Sequence, residues 1–265
     1  MEVHHHAHAG PDSHRGKKFK EYFLEFLMLF LAVTLGFIAE NIRESLRERS
    51  KEKEYIIGIK KDLVADTSSL NDFMPTLGKM IEQSDSLIGF LQVKGPTDHG
   101  GEMYYLARLS TRIRVHRADN TTLTVLEHSG DFRLITKQSV VVGLVRMQKL
   151  IDTYSAITSL DQQEGQMAYP LLANLFDASV FNTMESKVTH FELNLSATST
   201  SNIARPAGNP QLRNYNPDTI NQIIYYLHER KGSFIGEMGI LQQEKQAATE
   251  LIQTINEAYH LKENK

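Results

Sequence analysis

The first fourteen residues of the chain contain a dense group of imidazole side chains, His4, His5, His6, His8 and His14. Imidazole binds Zn, Ni or Cu, so His4, His5, His6 and His8 are candidate metal ligands. The opposing interpretation is a disordered polar tail, because no rigid scaffold orients these rings. A purification tag is a third possibility, although Ala7 interrupts the run and favours a native origin. The sequence predicts no cofactor, and weak binding of Zn²⁺ or another divalent metal at this tail is the one alternative.

A second group of polar side chains lies between residues 108 and 133. Its candidate ligand-binding members are Arg108, Arg112, His116, Arg117, His128 and Arg133. Guanidinium groups bind carboxylates or phosphates through two parallel hydrogen bonds, so the group is a hypothetical anion site. The alternative is a solvated helix face, since the apolar periodicity places Arg108 and Arg112 opposite the buried side. In that case some of these arginines pair with structural acids such as Asp119, Glu127 or Asp131.

The chain lacks the short motifs that usually announce catalysis. It contains no G-x-G-x-x-G, no Walker loop, no H-E-x-x-H and no G-x-S-x-G. It has no cysteine, which excludes disulfides, thiolate metal sites and a cysteine nucleophile. A formal net charge of -3 argues against nucleic-acid binding by the whole chain. We therefore predict that the protein is not an enzyme and has no nucleic-acid partner.

Residues 23–39, FLEFLMLFLAVTLGFIA, form the longest apolar segment of the chain. As a helix they would cover roughly 25 Å, close to the hydrocarbon core of about 30 Å. Glu25 lies near the start, where it can reach the interface beside Lys17, Lys18 and Lys20. The sequence thus predicts a transmembrane helix over residues 21–40, preceded by a His-rich basic tail over 1–20. A buried core helix or a cleaved signal peptide are the alternatives, but the segment lacks the small residues of a cleavage site and a charged helix follows it directly.

The positive charges that flank the segment are nearly balanced, with four Lys or Arg residues before it and five after it. The positive-inside rule therefore does not fix the orientation. A short N-terminal tail usually stays in the cytoplasm, which favours a C-terminal domain outside it. We expect a single-pass protein of the bacterial inner membrane, with the lipid bilayer as its first partner.

Residues 41–193 are predicted to form a helical domain that begins with a charged stalk helix. Apolar residues then return at heptad-like spacing, at Ile56, Leu63, Leu70 and Leu77. Pro75 is expected to kink or break this helix. Shorter helices follow, including one that starts near Asn120 and ends before Gly130, and a longer one from about Gln138 that Pro170 should disturb.

The last third of the chain divides into a loop and a helix. Residues 194–216 are rich in Ser, Thr, Asn, Gly and Pro and are predicted to form a long loop with a function or mobility. Residues 217–265 are predicted to form a long amphipathic helix that Asn216 caps. Its apolar stripe is expected at Ile220, Ile224, Leu227, Lys231, Phe234, Met238, Leu241, Lys245, Ala248, Ile252, Ile255 and Tyr259. Gly232, Gly236 and Gly239 indicate close packing against another helix or, alternatively, a hinge.

Three segments together resemble a known family. They are the anchor with its HHH tail, the run Lys60-Lys61-Asp62-Leu63-Val64-Ala65-Asp66, and the run from Asn120-Thr121-Thr122 to Ser129-Gly130-Asp131-Phe132-Arg133-Leu134-Ile135. This pattern, over roughly residues 1–160, resembles an uncharacterised family of small bacterial membrane proteins with one N-terminal membrane helix. The resemblance implies an architecture and a membrane location, and no catalytic residue.

The predicted fold is therefore all-α, a single N-terminal transmembrane helix that continues into a long-helix bundle or coiled-coil-like domain. The function that this favours is a membrane-anchored helical interaction, sensory or scaffold module that forms a homo-oligomer or binds a helical protein. The alternative is a membrane-tethered metal- or anion-binding protein or enzyme that uses the His-rich tail or the Arg/His group at 108–133.

Overall fold

A computed structural model describes residues 13–112, 114–184 and 203–261. Its elements are α1 (Ser13–Leu91), α2 (Gly100–Ser110), α3 (Thr121–His128), a 3₁₀ turn (Asp131–Leu134), α4 (Gln138–Leu175), α5 (Ala178–Met184) and α6 (Pro217–Tyr259). The described residues contain no strand, so the all-α prediction is confirmed. The chain divides into two compact units, residues 1–54 and 55–265.

The described part of the first unit is the N-terminal part of α1. Most of its large apolar side chains are exposed, for example Phe23 at 55% and Phe37 at 69%, while Leu27 is half-buried. The most apolar 18-residue window is long and apolar enough to cross a membrane, and none of it is buried. Arg43 and Glu40 form the ion pair expected three residues apart on the charged continuation of this helix, at 2.5 Å.

In the second unit, α1 has one buried face with heptad spacing. The predicted positions Ile56, Leu63, Leu70 and Leu77 are all buried. Three residues after each of these positions is another buried residue, namely Ile59, Asp66, Phe73 and Met80. The predicted break at Pro75 is wrong, because α1 continues past this residue to Leu91. A single lost backbone donor in a helix held on both sides by buried contacts does not end it.

The long helices α1, α4 and α6 build the core of this unit in three layers. A proximal cluster joins Ile56–Leu63 of α1 with Val140–Met147 of α4 and Ala247–Ile255 of α6. A central cluster joins Leu70–Met80 of α1 with Tyr154, Phe234 and Leu241. A distal cluster joins Leu87–Leu91 with Ala168–Leu175, Ile223 and Leu227, together with α2 and α5. Residue numbers rise along α1 and α4 and fall along α6 from layer to layer, so α6 runs antiparallel to the other two.

The start of α6 is as predicted. The Asn216 side chain accepts hydrogen bonds from the backbone N–H groups of Asp218 (2.8 Å) and Thr219 (3.2 Å), and Pro217 occupies the first turn. The predicted close packing at the three glycines is wrong. A Cβ atom at Gly232, Gly236 or Gly239 would meet no atom within 4 Å, because these residues do not face a neighbouring helix.

Part of the predicted loop is held against α2. The Arg205 guanidinium donates to both carboxylate oxygens of Glu102, at 2.6 and 3.1 Å, and its Cζ lies 4.1 Å from the centre of the Tyr105 ring. Asn209 and Gln211 form hydrogen bonds with the residues around Thr97 and Gly100. Residues 203–216 are therefore an ordered strap across the distal end of the bundle, whereas residues 194–202 lie outside the described part of the chain.

Candidate functional site

Helix α6 places three ionisable side chains on its buried face. Arg230, Glu237 and Glu244 are only 6%, 2% and 0% exposed and are seven residues apart. They alternate with Leu227, Phe234 and Leu241, so they point into the bundle in the same register as the apolar core. Burying a charge is costly unless a partner or a proton compensates it, so each of these groups requires an explanation.

The Glu244 carboxylate lies beside Asp66 of α1 and His116 of the loop between α2 and α3. One ligand atom from each of the three side chains lies within 4.8 Å of the other two, and all three residues are buried. His116 Nε2 is 3.0 Å from Asp66 Oδ1, and both side chains are 2% exposed. The Asp119 backbone N–H donates to the same Asp66 oxygen at 3.1 Å. We call Asp66, His116 and Glu244 the triad.

Three carboxylate oxygens of the triad have no hydrogen-bond donor among the described residues. They are Asp66 Oδ2 and both oxygens of Glu244. Burial, and after it the negative charge of Asp66, raises the pKa of Glu244 to about 7, while His116 acts in the opposite direction. Two buried carboxylates thus meet beside one imidazole, and an additional positive charge, either a proton or a cation, would offset their repulsion.

A second polar layer lies earlier on α6, where Glu237 is one heptad and Arg230 two heptads before Glu244. Arg230 Nη1 is 3.1 Å from Asp161 Oδ2 of α4, both side chains being at most 10% exposed. Burial and then the nearby Asp161 carboxylate raise the pKa of Glu237 to about 8. At neutral pH a proton on Glu237 leaves this layer balanced, with one guanidinium and one carboxylate.

Tyr154 of α4 connects the two layers. Its hydroxyl oxygen accepts a hydrogen bond from the His116 backbone N–H at 3.0 Å and lies 3.5 Å from Glu237 Oε2. Burial raises the pKa of Tyr154 well above its ordinary value, so the hydroxyl keeps its proton and can donate it to Glu237. The loop that carries His116 is therefore fixed to α4 as well as to α1.

Two of the three sequence segments that carried the family resemblance meet at this loop. Asp62, one turn before Asp66 on α1, accepts a hydrogen bond from the Thr122 backbone N–H at 2.6 Å. The expected cap on α3 comes from this acid, because the Asn120 side chain makes no capping hydrogen bond. Gly130 adopts the left-handed conformation expected after α3, with φ of 71°. The K-D-L-x-x-D run thus holds the N-T-T run in place.

The structure distributes the predicted Arg/His group over several elements with different neighbours. Arg108 lies on α2 with its Cζ 5.9 Å from the centre of the Phe181 ring, whereas Arg133 lies in the 3₁₀ turn. His128 is exposed on α3, where its Nδ1 is 2.7 Å from the Thr124 carbonyl oxygen. Arg112 and Arg117 are exposed. Only His116 of this group belongs to the triad.

The tail histidines His4, His5, His6 and His8 lie outside the described residues, so the metal site predicted there stays a prediction. Sequence reasoning missed Asp66 and Glu244 as site residues. It assigned the neighbouring Lys245 to the apolar stripe of α6, although Glu244 is the buried residue. The available signal was the seven-residue spacing, which puts Asp66 in phase with Ile59 and Phe73, and Glu244 in phase with Glu237 and Arg230.

A small cavity of about 20 Å³ lies beside Asp66, which is room for roughly one water molecule. Asp62, Asp66, Asp119 and Asn120 line it together with seven apolar residues, whereas His116 and Glu244 do not line it. Asp119 is exposed, Asp62 is partly buried and Asp66 is buried. The triad itself, outside this cavity, can hold a proton or a cation between its two carboxylates.

The chain has no detectable match among protein-family models, curated proteins or solved structures. No catalytic family is therefore identified for it, and the resemblance to small bacterial membrane proteins stays an expectation from the sequence.

Proposed function

We propose that the protein is a single-pass, membrane-anchored helical module that works by binding a partner. The observation that carries this proposal is the apolar window of α1, none of which is buried. Each large apolar side chain left in water costs about 1.5–3 kcal/mol relative to an apolar environment, and lipid removes that cost. A soluble core helix would bury this window within the protein, and the described residues do not cover it.

The second unit offers a surface for such a partner between α4 and α6. A groove of about 680 Å³ is lined by Met167, Leu171, Ile224 and Tyr225, with Glu164 and Glu229 among its polar residues. Met167 and Tyr225 are 71% and 66% exposed. Exposed Met and Tyr side chains that line a groove are typical of helix-binding surfaces.

A second copy of this chain is the partner that we propose for the groove. An anchor would confine copies to one plane and raise their effective concentration, so a groove of moderate size could support a dimer. We also propose that the protein lies in the bacterial inner membrane. Its support is the apolar window of α1 and the resemblance to small bacterial membrane proteins described above.

Photo-crosslinking in membranes tests this proposal. A photoreactive amino acid replaces Tyr225, and in a matched variant it replaces Ile235, which is 56% exposed on the same helix but does not line the groove. We expect a crosslinked homodimer from position 225 and little from position 235. Exclusive crosslinking to a different protein would overturn the homodimer and retain the interaction module. A protein that stays in the soluble fraction, or one that is monomeric and forms no crosslink, would overturn the proposed function.

A further inference from the structure

We propose that Asp66, His116 and Glu244 form a binding site for one divalent transition-metal ion, with Zn²⁺ as the ion that fits this donor set best. The site is distinct from the His-rich tail and does not depend on the partner-binding function proposed above. It would join α1, α6 and the loop between α2 and α3 at a point where two layers of the core meet.

The donor set supports a transition metal. One imidazole nitrogen and two carboxylates are ligands that Zn²⁺ takes in proteins, whereas Mg²⁺ and Ca²⁺ prefer oxygen alone. Bonds of about 2.0–2.2 Å place the ligand atoms of a tetrahedral ion about 3.4 Å apart. The ligand atoms here lie within 4.8 Å of one another, so side-chain adjustments of about 1 Å bring them to one ion.

The unpartnered oxygens are the independent observation that points to a ligand. Glu244 is 0% exposed, and neither of its oxygens has a donor among the described residues. Asp66 Oδ2 is in the same situation, while Asp66 Oδ1 already accepts from Asp119. Asp66 can therefore offer one oxygen to an ion and keep the other in its backbone hydrogen bond, which orients the carboxylate.

The surroundings fit a bound ion as well. The acids Asp119 and Asp62 lie near Asp66, where their negative charge attracts cations. The second polar layer has a similar pair of acids, but Arg230 already supplies its positive charge, so that layer needs no ion.

Metal binding is tested on the full chain in detergent with His4, His5, His6, His8 and His14 replaced by alanine, so that the tail does not contribute. The readouts are Zn²⁺ stoichiometry and affinity from titration, and the visible absorption of bound Co²⁺. We expect one ion per chain, Co²⁺ absorption typical of a nitrogen and oxygen shell, and a higher melting temperature with Zn²⁺.

Two glutamine substitutions on α6 provide the matched comparison. Glu244→Gln should weaken Zn²⁺ binding by more than about 10-fold, since even the loss of an outer hydrogen-bond partner of a ligand costs this much. Glu237→Gln, one heptad earlier and equally buried, should leave the affinity unchanged. Both replace a carboxyl by an amide of the same shape, and circular dichroism confirms that they fold.

Three results would overturn the proposal. The first is that the chain with the substituted tail does not bind Zn²⁺ stoichiometrically. The second is Zn²⁺ binding that Glu244→Gln and Glu237→Gln weaken equally. The third is a melting temperature that Zn²⁺ does not change. The crosslinking at position 225 tests a different surface. Failure of that crosslinking would therefore leave the metal-binding result unaffected.

Discussion

His116 Nε2 lies 3.0 Å from Asp66 Oδ1, although 50 residues separate them in the chain, and both side chains are almost fully buried. The contact fastens an irregular loop to the middle of a 79-residue helix. It lies in the same polar layer as Glu244.

His116→Ala should destabilise the protein strongly. The substitution leaves Asp66 and Glu244 without the imidazole and removes a ring that packs 5.7 Å from the centre of Phe73. Loss of one partner from a buried pair typically costs about 3–5 kcal/mol. Denaturant unfolding followed by circular dichroism measures it.

His128→Ala is the matched control, because this histidine belongs to the same predicted Arg/His group but is exposed on α3. We expect a change within about 0.5 kcal/mol. Equal losses for the two substitutions would contradict the structural role of the contact between His116 and Asp66.

Glu237 should make the stability depend on pH. Its pKa is about 8 in the folded protein against 4.5 ordinarily, so below pH 4.5 both the folded and the unfolded state hold the proton and the group costs nothing. As the pH rises from 4.5 to 8 the unfolded state ionises first, and stability falls by an amount on the order of a few kcal/mol. Above pH 8 the folded state ionises as well and the loss no longer grows.

Glu237→Gln removes this contribution, because glutamine does not ionise. We expect its melting temperature to exceed that of the wild type most at pH 8–9 and the difference to shrink towards pH 5. Part of the decline should remain in the variant, since the pKa of Glu244 is also raised. If the melting temperatures of the two proteins changed with pH in parallel over pH 5–9, Glu237 would not be protonated in the folded protein.

Gly100→Ala should be strongly destabilising. A Cβ atom at this position would collide with the backbone carbonyl of Pro210, and the Gly100 N–H donates to Asn209 Oδ1 at 2.5 Å. Backbone atoms cannot move aside as a flexible side chain can, so the ordered strap would have to leave α2. We expect a loss of more than about 2 kcal/mol, measured by thermal or denaturant unfolding.

Gly236→Ala serves as the opposite case in the same assay. Its Cβ would meet nothing within 4 Å in the middle of α6, so alanine should stabilise the helix by about 0.5–1 kcal/mol. If Gly236→Ala destabilised the protein, that result would support the close packing that the sequence suggested for this glycine.

Gly130→Val should cost on the order of 1 kcal/mol or more, because φ of 71° is unfavourable for a β-branched residue. Gly130→Asn should cost less, since asparagine tolerates the left-handed region. A Cβ at Gly130 would meet no atom within 4 Å, so the comparison isolates backbone conformation. Equal melting temperatures for the valine and asparagine variants would rule out this explanation.

Local patterns determined much of the fold. The apolar run at residues 23–39, the heptad positions Ile56, Leu63 and Leu70, and the cap at Asn216 depend on neighbours within a few turns, and the sequence contains those neighbours. Of the kink or break predicted at Pro75, the break does not occur, because contacts on the buried face of α1 outweigh the local helix-breaking tendency of proline. The same reasoning failed at Gly236, since the spacing of small residues does not say which face of a helix is covered.

Only the tertiary structure decided which charged residues are buried together. A glutamate counts as a surface residue in any pattern of polar and apolar positions, so the apolar stripe predicted for α6 omits Glu237 and Glu244. They are buried because α1 brings Asp66 next to Glu244, and α4 brings Tyr154 and Asp161 next to Glu237. These contacts depend on the packing of helices that are far apart in the chain. The sequence by itself therefore predicted an anchor and a helical bundle, whereas the triad of Asp66, His116 and Glu244 exists only because three segments far apart in the chain meet in the fold.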